Sequence, residues 1–523
     1  MRVEPHRRDF LIGVGAAAAS SMAPIRGALA VGEGASAVSS DLAYRRATDL
    51  IDALARKHIS SVELTDHAIA RIQALDKPIN AVVVRDFDRA RTAAKAADAA
   101  LVRGETRPLL GLPMTVKEAF SITGLPTTWG NPKFEDWQPN GDSLVVTRLK
   151  NAGAVILGKT NVPFMLQDWQ SYNEIYGTTN NPWNLGRTPG GSSGGAAAAL
   201  AAGFVSLELG SDIGGSLRCP AHFCGVFAHK PSLDLLPLRG VGPTHVPARP
   251  VRSGLAVAGP MARSATDLGL ELDVIAGPDE MSEGIGYKLV LPPTRHQELK
   301  SFRVLVIDSH PLCPTAISVQ AALDRLADRL GKAGASLARA SPPLPDLAQA
   351  ARLHVEMLTA GRSADLPADV YQRRAEAAEA LPADAVDLGA VALRGSTLTH
   401  RGWIWASRHQ ADLRQRCREL FKSFDVVLCP PMPTPAFPHD HSNQDARRLD
   451  IDGKRVPYLD QIVWASMATV AGLPATVAPI GHSEDDLPIG VQIIGPYLED
   501  RTTIAFAGLI EREFGGFVAP SAR

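Results

Sequence analysis

The chain has no excess charge of either sign: 54 Lys+Arg against 55 Asp+Glu leave a formal net charge of −1 over 523 residues. No run of Lys/Arg interleaved with aromatics tracks phosphates, so nucleic acid is not an expected partner. Cysteine is scarce. The five present (Cys219, Cys224, Cys313, Cys417, Cys429) are an odd number that implies no disulfide framework, and in an oxidising compartment at least one stays free or pairs between chains. Beyond the N-terminus no apolar run approaches the roughly 20 residues of a membrane-spanning helix, and no internal repeat is visible. What remains is an ordinary globular composition, 45% hydrophobic and 21% charged, with length enough to bury a sizeable core as one large domain or two to three smaller ones.

The first thirty residues differ from the rest. Arg7-Arg8-Asp9-Phe10-Leu11-Ile12 precedes an Ala-rich apolar stretch from Gly13 to Ala19 and then Ala28-Leu29-Ala30, which resembles a twin-arginine export signal with an A-x-A cleavage site. The stretch is too short to span a bilayer and is weakened by Gly13 and Gly15. Residues 1–30 are therefore expected to be a removed signal peptide. Cleavage near Ala30 would release a mature chain of residues 31–523 outside the cytoplasm, with the bacterial periplasm as the expected compartment and no stable membrane anchor.

Ser60-Ser61-Val62-Glu63 has the form of a capping box, and Val62, Leu64, Ile69 and Ile72 continue it as a helix towards Leu75. A β-branched strand at Ala81–Val84 and an Ala-rich helix over 86–102 follow, which predicts α/β layering. From Gly111 to Ser232 the chain is rich in Gly, Pro, Thr and Ser between short strands such as Val155-Ile156-Leu157, the composition of functional loops over a sheet edge. From about 279 to 422 it turns Ala-, Leu- and Arg-rich, with Ile317, Ala321, Leu323, Leu326 and Leu330 placed for an amphipathic helix. Strand candidates at 425–428 and 490–494 and a closing helix over 502–514 put strands at both ends, so one sheet is expected to be assembled from distant segments.

Gly190-Gly191-Ser192-Ser193-Gly194-Gly195 is the most unusual stretch, because four glycines cost backbone entropy and give nothing to a core. With Ala196–Ala202 reading as a helix start, its serines sit at a helix N-terminus. A second cluster, Gly210-Ser211-Asp212-Ile213-Gly214-Gly215-Ser216-Leu217-Arg218, sets a serine after paired glycines whose amides can converge on an oxyanion. Lys117 ends the alternating run Leu112, Met114, Val116; alone it is a solvated charge, but buried beside hydroxyls it loses its proton readily.

These three segments, in this order and with Ser192 and Ser216 24 positions apart (216 − 192), resemble the amidase-signature family, which includes fatty acid amide hydrolase, peptide amidases and the glutaminase-like component of the tRNA amidotransferase. The likeness extends through Gly158-Lys159-Thr160-Asn161, Asn181-Pro182-Trp183-Asn184, Pro220-Ala221, Cys224-Gly225, Lys230-Pro231-Ser232 and Pro488–Gly495. It implies an α/β fold with one large mixed β-sheet covered by helices on both faces: a single domain with its signature core at about 111–232 and a variable helical pocket region at about 279–422. It further implies Ser216 as nucleophile, Ser192 as proton relay in a cis peptide and Lys117 as base. The amides of Ile213, Gly214, Gly215 and Ser216 form the oxyanion hole, with Gly191, Ser193 and Asp212 supporting the loops. The implied chemistry is hydrolysis of linear amides through an acyl-enzyme, extending to esters and carbamates, with no cofactor and a small-molecule substrate.

Other readings stay open at this level. The glycine-rich stretch also matches G-x-S-x-G, the nucleophile elbow of α/β-hydrolases, which would use Ser193 (or Ser192) with a downstream acid and one of His229, His245, His354, His400 or His409. A component of an amidotransferase complex is a third reading, opposed by the export signal, and a non-enzymatic binding module a fourth. Gly153–Thr160 matches a Walker A pattern formally, but its Ala-Val-Ile-Leu reads as a strand and Pro163 interrupts the helix that should follow. Cys219, His222 and Cys224 lack a second ligand pair, so no metal is expected.

Overall fold

The computed structural model describes residues 42–242 and 254–521; the expected signal segment at residues 1–30 and His245 lie outside them. Eleven strands form one mixed sheet: β1 Val82–Arg85, β2 Pro113–Lys117, β3 Val155–Thr160, β4 Leu207–Asp212, β5 Phe227–Lys230, β6 Val257–Ala262, β7 Arg303–Val306, β8 Ser336–Ala338, β9 Val426–Cys429, β10 Ala475–His482 and β11 Pro488–Ile494. Their order is β1-β3-β2-β4-β6-β5-β10-β11-β9-β7-β8. The sheet thus joins chain segments hundreds of residues apart, as expected of one sheet assembled from distant segments.

Period-two alternation explains why both faces are covered. In β3, Ile156 packs into one apolar cluster with helices Ala265–Ile275 and Asp500–Phe514, while Val155 and Leu157 pack into another with helices Ser61–Ile79 and Gly194–Ala201. Phe227 and Ala228 divide between the same two clusters, as do Ala478 and Val477. Strands buried on both sides read as continuous apolar runs.

The local expectations hold with small shifts. Ser60 caps the helix Ser61–Ile79: its hydroxyl accepts from the Glu63 amide and the Glu63 carboxylate accepts from the Ser60 amide, at 3.1 and 2.8 Å. The helix runs on through Pro78 to a left-handed cap at Asn80. In Ile317–Lys332 the buried stripe is Val319, Ala322, Leu323, Leu326, Ala327 and Leu330; Ile317, expected inside, is 68% exposed because it opens the first turn before the helix meets the sheet. The segment 279–422 is helical over Leu347–Ser363, Ala368–Glu379, Leu388–Gly395 and His400–Ser423, but it also supplies β7 and β8 at one sheet edge. No described helix is long and apolar enough to cross a membrane. All five cysteines are buried free thiols. Ser60→Ala should cost about 1 kcal/mol of stability through loss of the cap, read as a lowered denaturant midpoint with unchanged m-value.

Candidate active site

β2 and β4 are parallel neighbours, with Thr115 opposite Glu208 and Val116 opposite Leu209. The carboxyl end of one carries Lys117, and the end of the other leads through Asp212 into the Ser216 loop, so the crevice beyond the strand ends is where the two converge. The Gly-Ser loop joins them there: the Ser193 amide donates to the Ser216 carbonyl at 3.2 Å. A Cβ at Gly191 would overlap the Asp168 carbonyl, which is why that position takes glycine. The Gly191–Ser192 peptide is cis.

Lys117 is wholly buried. Its Nζ lies 2.7 Å from Ser192 Oγ, 2.9 Å from Ser193 Oγ and 3.0 Å from Ser211 Oγ. Burial pushes its pKa down to about 7, against the opposing pull of the Asp212 and Glu208 carboxylates. Burial likewise pushes the Glu208 carboxyl up to about 8. A neutral amine has two donors and one lone pair. Ser193 directs its own proton to the Ser211 carbonyl at 3.2 Å, so the hydroxyl that donates to Nζ is that of Ser192 or Ser211.

The Ser216 loop is held at every peptide unit. The Ile213 carbonyl accepts from His354 Nε2 at 2.9 Å, that of Gly214 from Trp169 Nε1 at 2.9 Å, that of Gly215 from the Cys219 amide at 2.7 Å, and that of Ser216 from Ser193. In a trans peptide the C=O and N–H point opposite ways, so pinning a carbonyl aims the following amide. The amides of Gly215 and Leu217 donate to the Asp212 carboxylate at 2.9 and 3.0 Å. Those of Ile213, Gly214 and Ser216 donate to no acceptor among the described residues. Three of the four amides expected to form the oxyanion hole are thus free for a substrate oxygen, whereas Gly215, at φ +100°, gives its amide to Asp212.

Asp212 is itself buried. Burial works to raise its pKa, yet the Arg218 guanidinium and the loop amides hold the carboxyl well below the usual carboxylate range. Arg218 contacts it through Nε and Nη2 at 3.0 and 2.8 Å. Burial also pushes His354 down to about 4, so the ring is neutral and donates from Nε2 while Nδ1 accepts from Ser466 at 3.0 Å.

The alternative partners lie elsewhere. His229 sits between Thr476 and Asp500, and Ser232 bonds the same Asp500, a buried trio away from the glycine-rich loop. No described histidine is hydrogen-bonded to Ser192 or Ser193. Lys159 of the Walker-like stretch ends a strand and donates to the Pro126 carbonyl and Thr127 at 2.5 and 2.7 Å. His222 has both ring nitrogens engaged, by the Thr434 carbonyl and the Gly490 amide. Sequence reasoning gave no role to Arg218 or Trp169, the first of which lies inside the recognised segment, and named His354 only as one possible catalytic histidine of the elbow alternative; its part in holding the Ile213 carbonyl comes from the variable region, where no local pattern marks it.

A family model described as Amidase matches residues 63–504. The chain belongs to the amidase family. As a member it is an amidohydrolase acting on carbon–nitrogen amide bonds. It is 34% identical to a glutamyl-tRNA(Gln) amidotransferase subunit of Anaeromyxobacter dehalogenans (strain 2CP-C), over 89% of this chain and 96% of that one. It is also 34% identical to the putative amidase AmiB2 of Mycobacterium bovis (strain ATCC BAA-935 / AF2122/97), over 90% and 96%. Among solved structures it superposes with TM-score 0.76 and 29% identity, over 91% of this chain and 100% of the other, on a protein from work on the evolutionary origins of an s-triazine catabolic enzyme.

Removing the Asp212 carboxylate leaves Arg218 buried without its counter-charge and frees two loop amides. Asp212→Ala should therefore lose about 3–5 kcal/mol of stability, measured by chemical denaturation at neutral pH. Because the folded pKa lies below the unfolded one, this contribution is full above the unfolded value and fades as pH falls through the folded one, so the deficit of the variant should shrink in acid.

Proposed function

We propose that the chain is an exported amidohydrolase that acylates Ser216, with Ser192 as proton relay and neutral Lys117 as base. The observation that carries this reading is the placement of a fully buried lysine at 2.7 Å from Ser192, in a loop tied to a Ser216 loop that has three amides to spare. Lys117 takes a proton through Ser192 as Ser216 Oγ adds to the substrate carbonyl. The amides of Ile213, Gly214 and Ser216 receive the developing oxyanion; each such donor is typically worth about 3–4 kcal/mol in a hydrolase. Ser192 returns the proton to the departing nitrogen, and water then releases the acyl group from Ser216 by the same relay. Esters and carbamates present the same carbonyl to the same cradle and are expected side substrates. The Arg7-Arg8 leader supports action outside the cytoplasm.

The resemblance to the amidotransferase component favours a second reading, in which the chain releases ammonia for a partner protein. Steady multiple turnover of anilides by the isolated chain speaks for the first reading, and turnover only on addition of a partner speaks for the second.

Ser216→Ala and Lys117→Ala should each lower kcat/KM on amides by at least about a thousandfold with the fold retained by circular dichroism. Replacement of His229, His354, His400 or His409 should leave a measurable Ser216-dependent reaction; full activity in Ser216→Ala sinks the proposal. The pH profile has a sign. Activity needs the neutral amine, so kcat/KM should rise with pH with unit slope and level off above about 7, the value to which burial brings Lys117. A profile flat from about pH 5 to 9 contradicts the role of Lys117.

A further inference from the structure

Ser216 opens on a small cavity of about 80 Å³ that Trp169, Ile213, Gly214, Leu358, Arg362 and Ile462 also line. Two charged side chains line it, Asp168 and Arg362. Asp168 already has its counter-ion: Arg447 Nη1 donates to one carboxylate oxygen at 2.6 Å and the Tyr458 hydroxyl to the other at 2.7 Å. Arg362 is not. Its guanidinium makes no hydrogen bond and no ion pair with any described residue.

A guanidinium has five donors and keeps its charge. Arg362 is half-buried beside Leu358, Leu459 and Ile462, and a cation left there without a counter-ion fits an anion that arrives with the ligand. Burial alone pulls the Arg362 pKa down, to about 10, with no carboxylate raising it, and its charge is felt at His354, whose ring holds the Ile213 carbonyl. Arg362 also lies in the last turn of Leu347–Ser363, where a cation complements the helix dipole. That role asks for no exposure to a catalytic cavity, and no helix carbonyl accepts from it.

We propose that Arg362 is the specificity determinant for amides that carry a carboxylate on a short spacer from the scissile bond. The proposal rests on the reading of Ser216 as nucleophile. The carboxylate would sit against the guanidinium while the scissile carbonyl lies in the cradle of Ile213, Gly214 and Ser216. The spacer is short because Ser216 and the guanidinium line the same small cavity. The carboxylate belongs either to the acyl part, as in a dicarboxylic monoamide, or to the amine, as in an N-acyl amino acid.

The test compares kcat/KM for two matched pairs with the full mature chain and its Arg362→Gln and Arg362→Lys variants. The acyl pair is glutaric mono-4-nitroanilide against valeric 4-nitroanilide, and the amine pair is 2-butyramidobenzoate against butyranilide. The unsubstituted protein should prefer the charged member of one pair by about tenfold or more, the size of one charge-assisted contact. Arg362→Gln should bring that ratio near one and Arg362→Lys should restore part of it. The pair affected identifies the side that carries the carboxylate. No charge preference in either pair, or a ratio that Arg362→Gln leaves unchanged, overturns the proposal. A merely structural role would lower all four substrates together and leave the ratios intact, which also overturns it. Calorimetric binding of glutarate to the Ser216→Ala protein, with and without Arg362→Gln, separates the two claims. If no anilide turns over but glutarate binding needs Arg362, the hydrolase reading fails and the anion subsite stands. If glutarate binds both proteins equally, or neither, the subsite fails whatever the turnover.

Discussion

The buried ion pair between Asp212 and Arg218 is the interaction on which the rest of the site depends. Both side chains are sealed from solvent, a costly arrangement unless every donor and acceptor is met. Here they are met. Arg218 uses all five N–H groups, two on Asp212 and the others on the Ala465 carbonyl, Gln492 and Thr469. Asp212 fills its remaining capacity with the amides of Gly215 and Leu217. One pair therefore fixes the end of β4, the turn that carries Ser216, and the helix and strand near the C-terminus that close over it. The free amides of the cradle follow from that fixing, since a loop whose carbonyls and alternate amides are all bound has only one way to present the others.

The same burial that makes this pair expensive makes Lys117 useful. A lowered lysine pKa is not by itself the mark of a base, as two other buried lysines show. Burial pushes Lys159 down to about 8 and Lys230 to about 7, yet Lys230 donates to the Pro231 carbonyl, and Lys159 to the Pro126 carbonyl and to one hydroxyl, that of Thr127, whose own proton points to the Leu125 carbonyl. Lys117 alone of the three has three hydroxyls around it, and those of Ser192 and Ser193 belong to the loop that touches Ser216. Chemistry is thus assigned by the neighbours, with desolvation as the common background.

Much of this was readable in the chain. The glycines around Ser192 and Ser216 announced close backbone approach, and the overlap a side chain at Gly191 would suffer is the reason they had to. The capping box at Ser60 and the alternation leading to Lys117 were local patterns and held. What local patterns could not reveal was long-range geometry. The Gly215 amide, expected in the oxyanion hole, is taken by Asp212, a choice set by the fold of a turn and invisible to residue type. The strands β7 and β8 hid inside an otherwise helical stretch because a strand of three or four residues carries little periodicity. His354 and Arg362 reach the site from a helix well outside the recognised segment, in the region where the chain's own specificity is expected to reside.

The central claim is that Ser216, and neither Ser192 nor Ser193, bonds covalently to the substrate carbonyl. Peptide mapping by mass spectrometry after treatment of the folded protein with a fluorophosphonate tests it most directly. One adduct is expected, on the peptide containing Ser216, and it should be absent from the Lys117→Ala protein over the same exposure. An adduct on Ser193, or labelling of Ser216 that is indifferent to the loss of Lys117, would contradict the claim.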